Sequence, residues 1–311
     1  MEDKQSRTLE GIIVPLVTPL SANGQIDIEG LSNLIEHVIE GGVHGIFILG
    51  TTGEAQSISM QQREEMIRET GRILKNRLPL LVGISDTSIS ESAALAQKAY
   101  EADAYAVVAT PPYYFATGQP ELIEYFGNLL SQLPLPLFLY NMPVHTKVSF
   151  DPKTIQQIAR NKKVIGFKDS SANGTYLQTV MHIMRDRPDF MIFVGPEEMT
   201  AEMVLMGANG GVNGGANLFP ELYAALYNAA KARNIEKVRA LQQKIMQIST
   251  TIYNKGKFGS SYLKGLKCAL SVAGICNDYT GMPFSPFDKE TKTEIGKAMG
   301  EIQNLLSVET I

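Results

Sequence analysis

Short apolar runs alternate with longer amphipathic stretches over most of the chain. The runs are "GIIVPLVT" from Gly11, "GIFILG" from Gly45, "LPLLVGI" from Leu78 and "AYAVVAT" from Ala104, then "LPLFLYN" from Leu135, "VIGFK" from Val164, "FMIFVG" from Phe190 and the shorter "NGGVNGG" from Asn209. Runs of this length, rich in β-branched and aromatic residues and separated by helical periodicity, are the pattern of parallel βα units. Between them lie helices such as Ile28–Glu40 and Ser59–Lys75, the second opening with Ser59 three residues before Gln62, which is capping-box spacing. Eight units ending near residue 231 predict a (β/α)8 TIM barrel. A doubly wound sheet is the weaker alternative, because no early G-x-G-x-x-G follows a strand. Beyond residue 231 the strand signal stops, and Asn234–Tyr253, Ser261–Ala273 and Lys289–Leu306 read as helices. The expected organisation is a barrel carrying the active site over 1–231 and a C-terminal three-helix subdomain over 232–311.

Composition narrows the function without choosing it. The 311 residues are 44% hydrophobic and 19% charged, ordinary for a chain with a sizeable core. With 28 Lys and Arg against 32 Asp and Glu, the net charge of -4 offers no electrostatic footprint for nucleic acid or an anionic membrane. "MEDKQSRTLE" has no apolar signal region and no run of about 18 apolar residues occurs, so the expected location is the cytoplasm. Cys268 and Cys276, eight apart in one helical segment, read as reduced core thiols. His37, His44, His145 and His182 show no i, i+4 pairing, and no metal site is expected.

One lysine interrupts an apolar strand. In "VIGFKDSSANG", strand alternation puts Val164, Gly166 and Lys168 on one face and Ile165 and Phe167 on the other. The large pair suits the helix layer, which sends Lys168 into the barrel mouth, with Gly166 below leaving it space. Chemistry on this fold sits at that end of the strands. A lysine partly removed from water has a lowered pKa, so more neutral amine is available to attack a ketone and form a Schiff base. The resulting iminium stabilises an adjacent carbanion and permits C–C bond making or breaking. The bland alternative is a lysine that snorkels to solvent.

Other strand ends supply matching groups. "GTTGE", Gly50 to Glu54, follows a strand with glycines that let N–H groups converge on an anion and with two hydroxyl donors, although a plain βα turn reads the same way. Tyr140 ends the fifth run on the face of Phe138, where its phenol is either a proton carrier or an aromatic filler. "TPPYYF", Thr110 to Phe115, is a proline-stiffened loop that alone reads as packing or interface.

Taken together, "GTTGE" at 50–54, "PYY" at 112–114, "YNMP" at 140–143 and "GFKDSS" at 166–171 resemble the dihydrodipicolinate synthase / N-acetylneuraminate lyase family of class I, pyruvate-handling aldolases. The separations, 117 residues from Thr51 to Lys168 and 28 from Tyr140 to Lys168, are also similar, and the resemblance covers nearly the whole chain. It implies a Schiff base on Lys168 with no other cofactor, and Tyr140 as the proton carrier. It also implies Thr51 as a relay to a second tyrosine, Tyr114, which reaches in from a neighbouring subunit of a homo-oligomer, dimer or tetramer. Thr52, with backbone N–H groups beside Gly50, matches the carboxylate clamp. Gly195 and Val212 match residues that close the pocket. The implied partners are pyruvate and a small aldehyde or keto acid.

The choice of reaction rests on departures from that pattern. The synthase branch carries an arginine two residues after the "YNxP" proline, and here "YNMPVHTK" has His145, which cannot make a bidentate fork to a carboxylate. Positions after "GTTGE" lack the histidines that resemble a lysine feedback site. Glu197 and Glu198 in "VGPEE" resemble the acidic pair with which sialic acid lyases hold sugar hydroxyls, although they also suit the first turn of a helix. Gly214 and Gly215 stand where those lyases have Ser-Thr, which is expected to enlarge the pocket and remove hydroxyl donors. A phosphorylated substrate is disfavoured, since the tract "GANGGVNGGAN" has no nearby Lys or Arg. The expectation is an aldolase or lyase for a sugar-derived 2-keto acid. Dihydrodipicolinate synthase is the alternative within the family, and a non-catalytic keto-acid-binding homologue the alternative of another class.

Overall fold

The computed structural model describes residues 8–308, so most of the N-terminal segment read above lies outside the described residues, as do 309–311. Strands β1 Gly11–Pro15, β2 Gly45–Ile48, β3 Leu80–Gly83, β4 Ala106–Ala109, β5 Leu137–Asn141, β6 Val164–Asp169, β7 Met191–Val194 and β8 Gly210–Val212 run parallel and close into a barrel in chain order. Each coincides with one of the eight apolar runs. The outer helices are α1 Ile28–Glu40, α2 Met60–Leu74, α3 Ile89–Glu101, α4 Gln119–Leu130, the short α5 Pro143–Thr146, α6 Pro152–Ile158, α7 Gly174–Ile183, α8 Thr200–Leu205 and α9 Pro220–Lys231. Helices α10 Ile235–Thr251, α11 Ser261–Val272 and α12 Lys289–Val308 follow the barrel. No helix among the described residues is long and apolar enough to cross a membrane.

Local signals explain the boundaries. Ser59 caps α2 in a complete capping box: its hydroxyl accepts from the Gln62 N–H, and the Gln62 side chain accepts from the Ser59 N–H at 2.9 Å. The helix then ends at Lys75, in the left-handed region. Cys276 departs from expectation, because α11 stops at Val272 and this buried thiol sits in the loop beyond it; both cysteines are free.

Two apolar layers organise the interior, as barrel geometry requires. The larger lies between strands and helices, and the smaller fills the barrel with Ile13, Phe47, Leu81, Phe138, Phe193 and neighbours. Strand β6 corrects the simple alternation. Its register against β5 slips between Leu137 and Phe138, so Leu137 pairs with Val164 but Phe138 pairs with Gly166. The extra residue moves Val164 into the outer layer and sets Ile165 against the inner one, the reverse of the predicted assignment. Beyond the bulge Phe167 is outer, and Lys168 pairs with Tyr140 at the strand ends. Nor does Gly166 leave room for the lysine. A Cβ there would overlap the Phe138 ring, which takes that space.

Candidate active site

Lys168 is only 7% exposed at the end of β6. Its Nζ lies 4.1 Å from the centroid of the Tyr140 ring and 4.9 Å from that of Phe47. Beneath it is a cavity of about 10 Å³ with apolar walls that include Phe47, Phe138, Phe193 and Val212, which give a water nothing to bond. Burial pushes the Lys168 pKa below that of a free lysine, and Tyr140 partly opposes the shift. The neighbouring carboxylate does not neutralise it. Asp169 faces away, accepting from Asn141 Nδ2 at 2.8 Å and from the Ser171 hydroxyl at 2.8 Å.

Tyr140 completes the centre. Its hydroxyl is 3.3 Å from Thr51 Oγ1 and accepts a long 3.5 Å contact from Ser170 Oγ. Burial alone would raise its pKa, but the Lys168 charge and then the Ser170 and Thr51 hydroxyls outweigh it, and the net shift is downward. Each of the two groups thus shifts the other: Tyr140 favours the charged lysine, and the lysine charge lowers the phenol. An amine available as nucleophile beside a phenol able to give and take a proton is the equipment for carbonyl addition.

The turn after β2 brings Thr51 to Tyr140, with Thr52 next along the chain. Gly50 is required at its start, because a Cβ would overlap the Phe47 ring. Thr52 is buried, with Oγ1 3.1 Å from the hydroxyl of Tyr262, on α11. Glu54 closes the turn in a left-handed conformation, φ 55°, that disfavours any residue with a Cβ. Its carboxylate is fixed by an ion pair with Lys267, also on α11, and by the Gly281 N–H at 2.8 Å. The turn is thus bound to the C-terminal helices at two points.

The far wall differs from expectation. Val212 lines the cavity, and Gly195 stands at the mouth with its N–H donated to the Asp169 carbonyl at 2.7 Å. Glu197 turns away from the mouth. One oxygen accepts from Tyr223 at 2.5 Å and Tyr253 at 3.0 Å, and the other accepts from the Gly215 N–H at 2.9 Å. Burial, offset in part by these donors, pushes its pKa up to about 7. It anchors the turn after β8, with both oxygens engaged by donors of the protein itself. Glu198 is exposed, and its backbone carbonyl accepts from Gln242. Gly214 and Gly215 do not enlarge the pocket either: a Cβ at Gly214 would overlap the Tyr262 hydroxyl, and one at Gly215 the Tyr223 hydroxyl. Tyrosines occupy the volume that the glycines vacate.

His145 sits on α5 with its ring in contact with solvent, yet surrounding protein atoms disfavour its charged form and lower its pKa. Tyr114 is set apart from Thr51 and Tyr140 of its own chain. It is 71% exposed, packed edge-on against Phe115 at 5.1 Å, and its carbonyl accepts from Lys147 at 3.3 Å. The geometry therefore gathers Lys168, Tyr140, Thr51, Thr52, Gly50, Gly195 and Val212, leaves His145 at the rim, and withdraws Glu197.

Four participants escaped the sequence reading: Tyr223, Tyr253, Tyr262 and Lys267. Lys267 alone had a signal, since it falls on the apolar stripe of α11 with Leu263, Leu266 and Leu270, where an ammonium needs a buried partner.

The sequence profile of the dihydrodipicolinate synthetase family matches residues 8–302. A solved dihydrodipicolinate synthase of Bacteroides thetaiotaomicron is 64% identical, with a TM-score of 0.92 over 94% of this chain and 98% of that one. YagE of Escherichia coli K12, described as a prophage protein of the dihydrodipicolinic acid synthase family and solved with pyruvate, is 27% identical with a TM-score of 0.90, covering 96% and 99%. The 4-hydroxy-tetrahydrodipicolinate synthase of Herminiimonas arsenicoxydans is 30% identical over 294 residues, 94% of this chain and 98% of that protein.

Proposed function

The chain belongs to the dihydrodipicolinate synthetase family and is a carbon–carbon lyase, and from that premise we propose that it works through a Schiff base between pyruvate and Lys168. The observation that carries this reading is the placement of Lys168, buried against two aromatic rings with no carboxylate beside it and the Tyr140 phenol at hand. The neutral amine adds to the C2 ketone, water leaves, and an iminium remains. In the cleavage direction Tyr140 takes the proton of the C4 hydroxyl as the C3–C4 bond breaks. The bonding electrons pass into the iminium, giving an enamine and an aldehyde. Protonation at C3 and hydrolysis then release pyruvate and restore the amine. Thr52 and the N–H groups of the 50–54 turn hold the carboxylate, Thr51 relays protons to Tyr140, and Tyr114 joins the relay from a second copy of the chain. No further cofactor is required.

We assign the aldehyde side to an uncharged or hydroxylated partner, as in a sugar-derived keto acid. The support is His145, largely neutral at pH 7 where the synthase branch has an arginine. Two observations favour the second reading, condensation of pyruvate with aspartate semialdehyde: the withdrawal of Glu197 from the mouth, and the 64% identity to a protein described as dihydrodipicolinate synthase. A coupled assay decides between them. Pyruvate release from sialic acid or 2-keto-3-deoxy sugar acids supports the first reading. Efficient consumption of pyruvate only with aspartate semialdehyde overturns it in favour of the second. A protein that binds keto acids without turnover would be a binding homologue.

A further inference from the structure

Helix α11 grips the anion-binding turn at two residues. Tyr262 reaches Thr52 at 3.1 Å, and five residues on Lys267 pairs with Glu54 while donating to the Tyr279 carbonyl at 2.6 Å. Tyr262 is itself fixed. Its ring meets that of Tyr253 edge-on at 4.8 Å, and Tyr253 is anchored by its 3.0 Å bond to Glu197. Its hydroxyl occupies the space where a side chain at position 214 would begin, so Tyr262 in this place requires Gly214.

We propose that Tyr262 is a positioning residue for substrate carboxylate binding, orienting the Thr52 hydroxyl from the C-terminal subdomain and supplying from α11 the polar group that the Gly214–Gly215 turn after β8 does not carry. A threonine hydroxyl has one proton to give. When Tyr262 donates to Thr52 Oγ1, the Thr52 proton is free to point at an anion in the turn; without that donor the hydroxyl rotates among competing acceptors. The effect is confined to the carboxylate, because the phenol contacts Thr52 and the Lys168–Tyr140 pair is held by other groups.

This inference rests on the Schiff-base reading, and the experiment separates the two. Borohydride trapping is measured against concentration for pyruvate and for acetone, a ketone without a carboxylate, in the wild-type protein and in Tyr262→Phe. Loss of one hydrogen bond to a positioned donor should raise the half-saturating pyruvate by about three- to tenfold. The acetone curve should not move. In Tyr262→Phe/Gly214→Ser, a hydroxyl restored from the β8 side should recover part of the pyruvate affinity, whereas Gly214→Ser alone, which collides with the phenol, should lose it. An unchanged pyruvate curve in Tyr262→Phe overturns the proposal. A parallel loss for pyruvate and acetone overturns it too, since Tyr262 would then support the fold alone. No trapping in the wild-type protein would instead strike the Schiff-base reading.

Discussion

Among the described residues Lys168, Lys244 and Lys267 are buried, and the surroundings of Lys168 and Lys267 assign these two opposite work. Lys168, at the end of β6, faces aromatic rings and a phenol; Lys267, fully buried on α11, faces the carboxylate of Glu54 and the Tyr279 carbonyl. Burial pulls the pKa of both downward. At Lys267 the anion opposes that pull and the pair serves as a tether. At Lys168 only Tyr140 opposes it, which is the setting of the nucleophile proposed above. Burial supplies the reactivity of a lysine only where no anion is provided to cancel it.

Substitutions should break that contrast cleanly. Lys168→Met should abolish turnover, roughly 10⁴-fold or more, while thermal unfolding is unchanged or slightly raised, because a desolvated amine has been replaced by an apolar chain. Lys267→Met should do the reverse to stability. It strands the Glu54 carboxylate in the protein and should cost about 3–5 kcal/mol in denaturant unfolding. Replacing both members, Lys267→Met with Glu54→Gln, should recover most of that loss, and a double variant no more stable than the single would mean that the ion pair is not what holds the turn.

The two centres should also differ in pH response. Adduct formation at Lys168 should rise with pH and level off below about 10.4, the value of a free lysine. In Tyr140→Phe the limb should move to lower pH, since Tyr140 opposes the downward shift, and turnover should fall by about 10²–10⁴-fold. Glu197 supplies a stability signal of the other sign. Its folded pKa, about 7, lies above the ordinary 4.5, so the folded state binds the extra proton between those values and stability falls as pH rises through that window. The full slope is worth up to about 3 kcal/mol, and Glu197→Gln should flatten it in unfolding measured from pH 4 to 8.

The smallest expected effect concerns Tyr114. Chains with Tyr114→Phe and chains with Lys168→Ala should each be poorly active, and mixing them should restore a modest fraction of activity if sites draw on two copies. No recovery after confirmed subunit exchange would contradict the sharing.

The same contrast explains what the sequence made legible. Lys168 was visible because a strand has a two-residue period, and a charge on its inward face at the C-terminal end has few explanations. The register slip at Ile165 was not visible, since a bulge is specified by the partner strand as much as by its own residues. The eight strands and the Ser59 cap are written in local patterns. Tyr262 and Glu197 are not, because their meaning depends on which tertiary neighbour takes each hydroxyl or carboxylate. The glycines at 214 and 215 looked like open space from sequence and are instead the footprint of two tyrosines.

The central claim is that Lys168, and not the more deeply buried Lys267, is the covalent nucleophile. Incubation with pyruvate and borohydride, followed by peptide mass spectrometry, should place one reduced pyruvyl group on the peptide that carries Lys168 and leave Lys267 unmodified. An unmodified Lys168, or an adduct located on another lysine, would contradict the account.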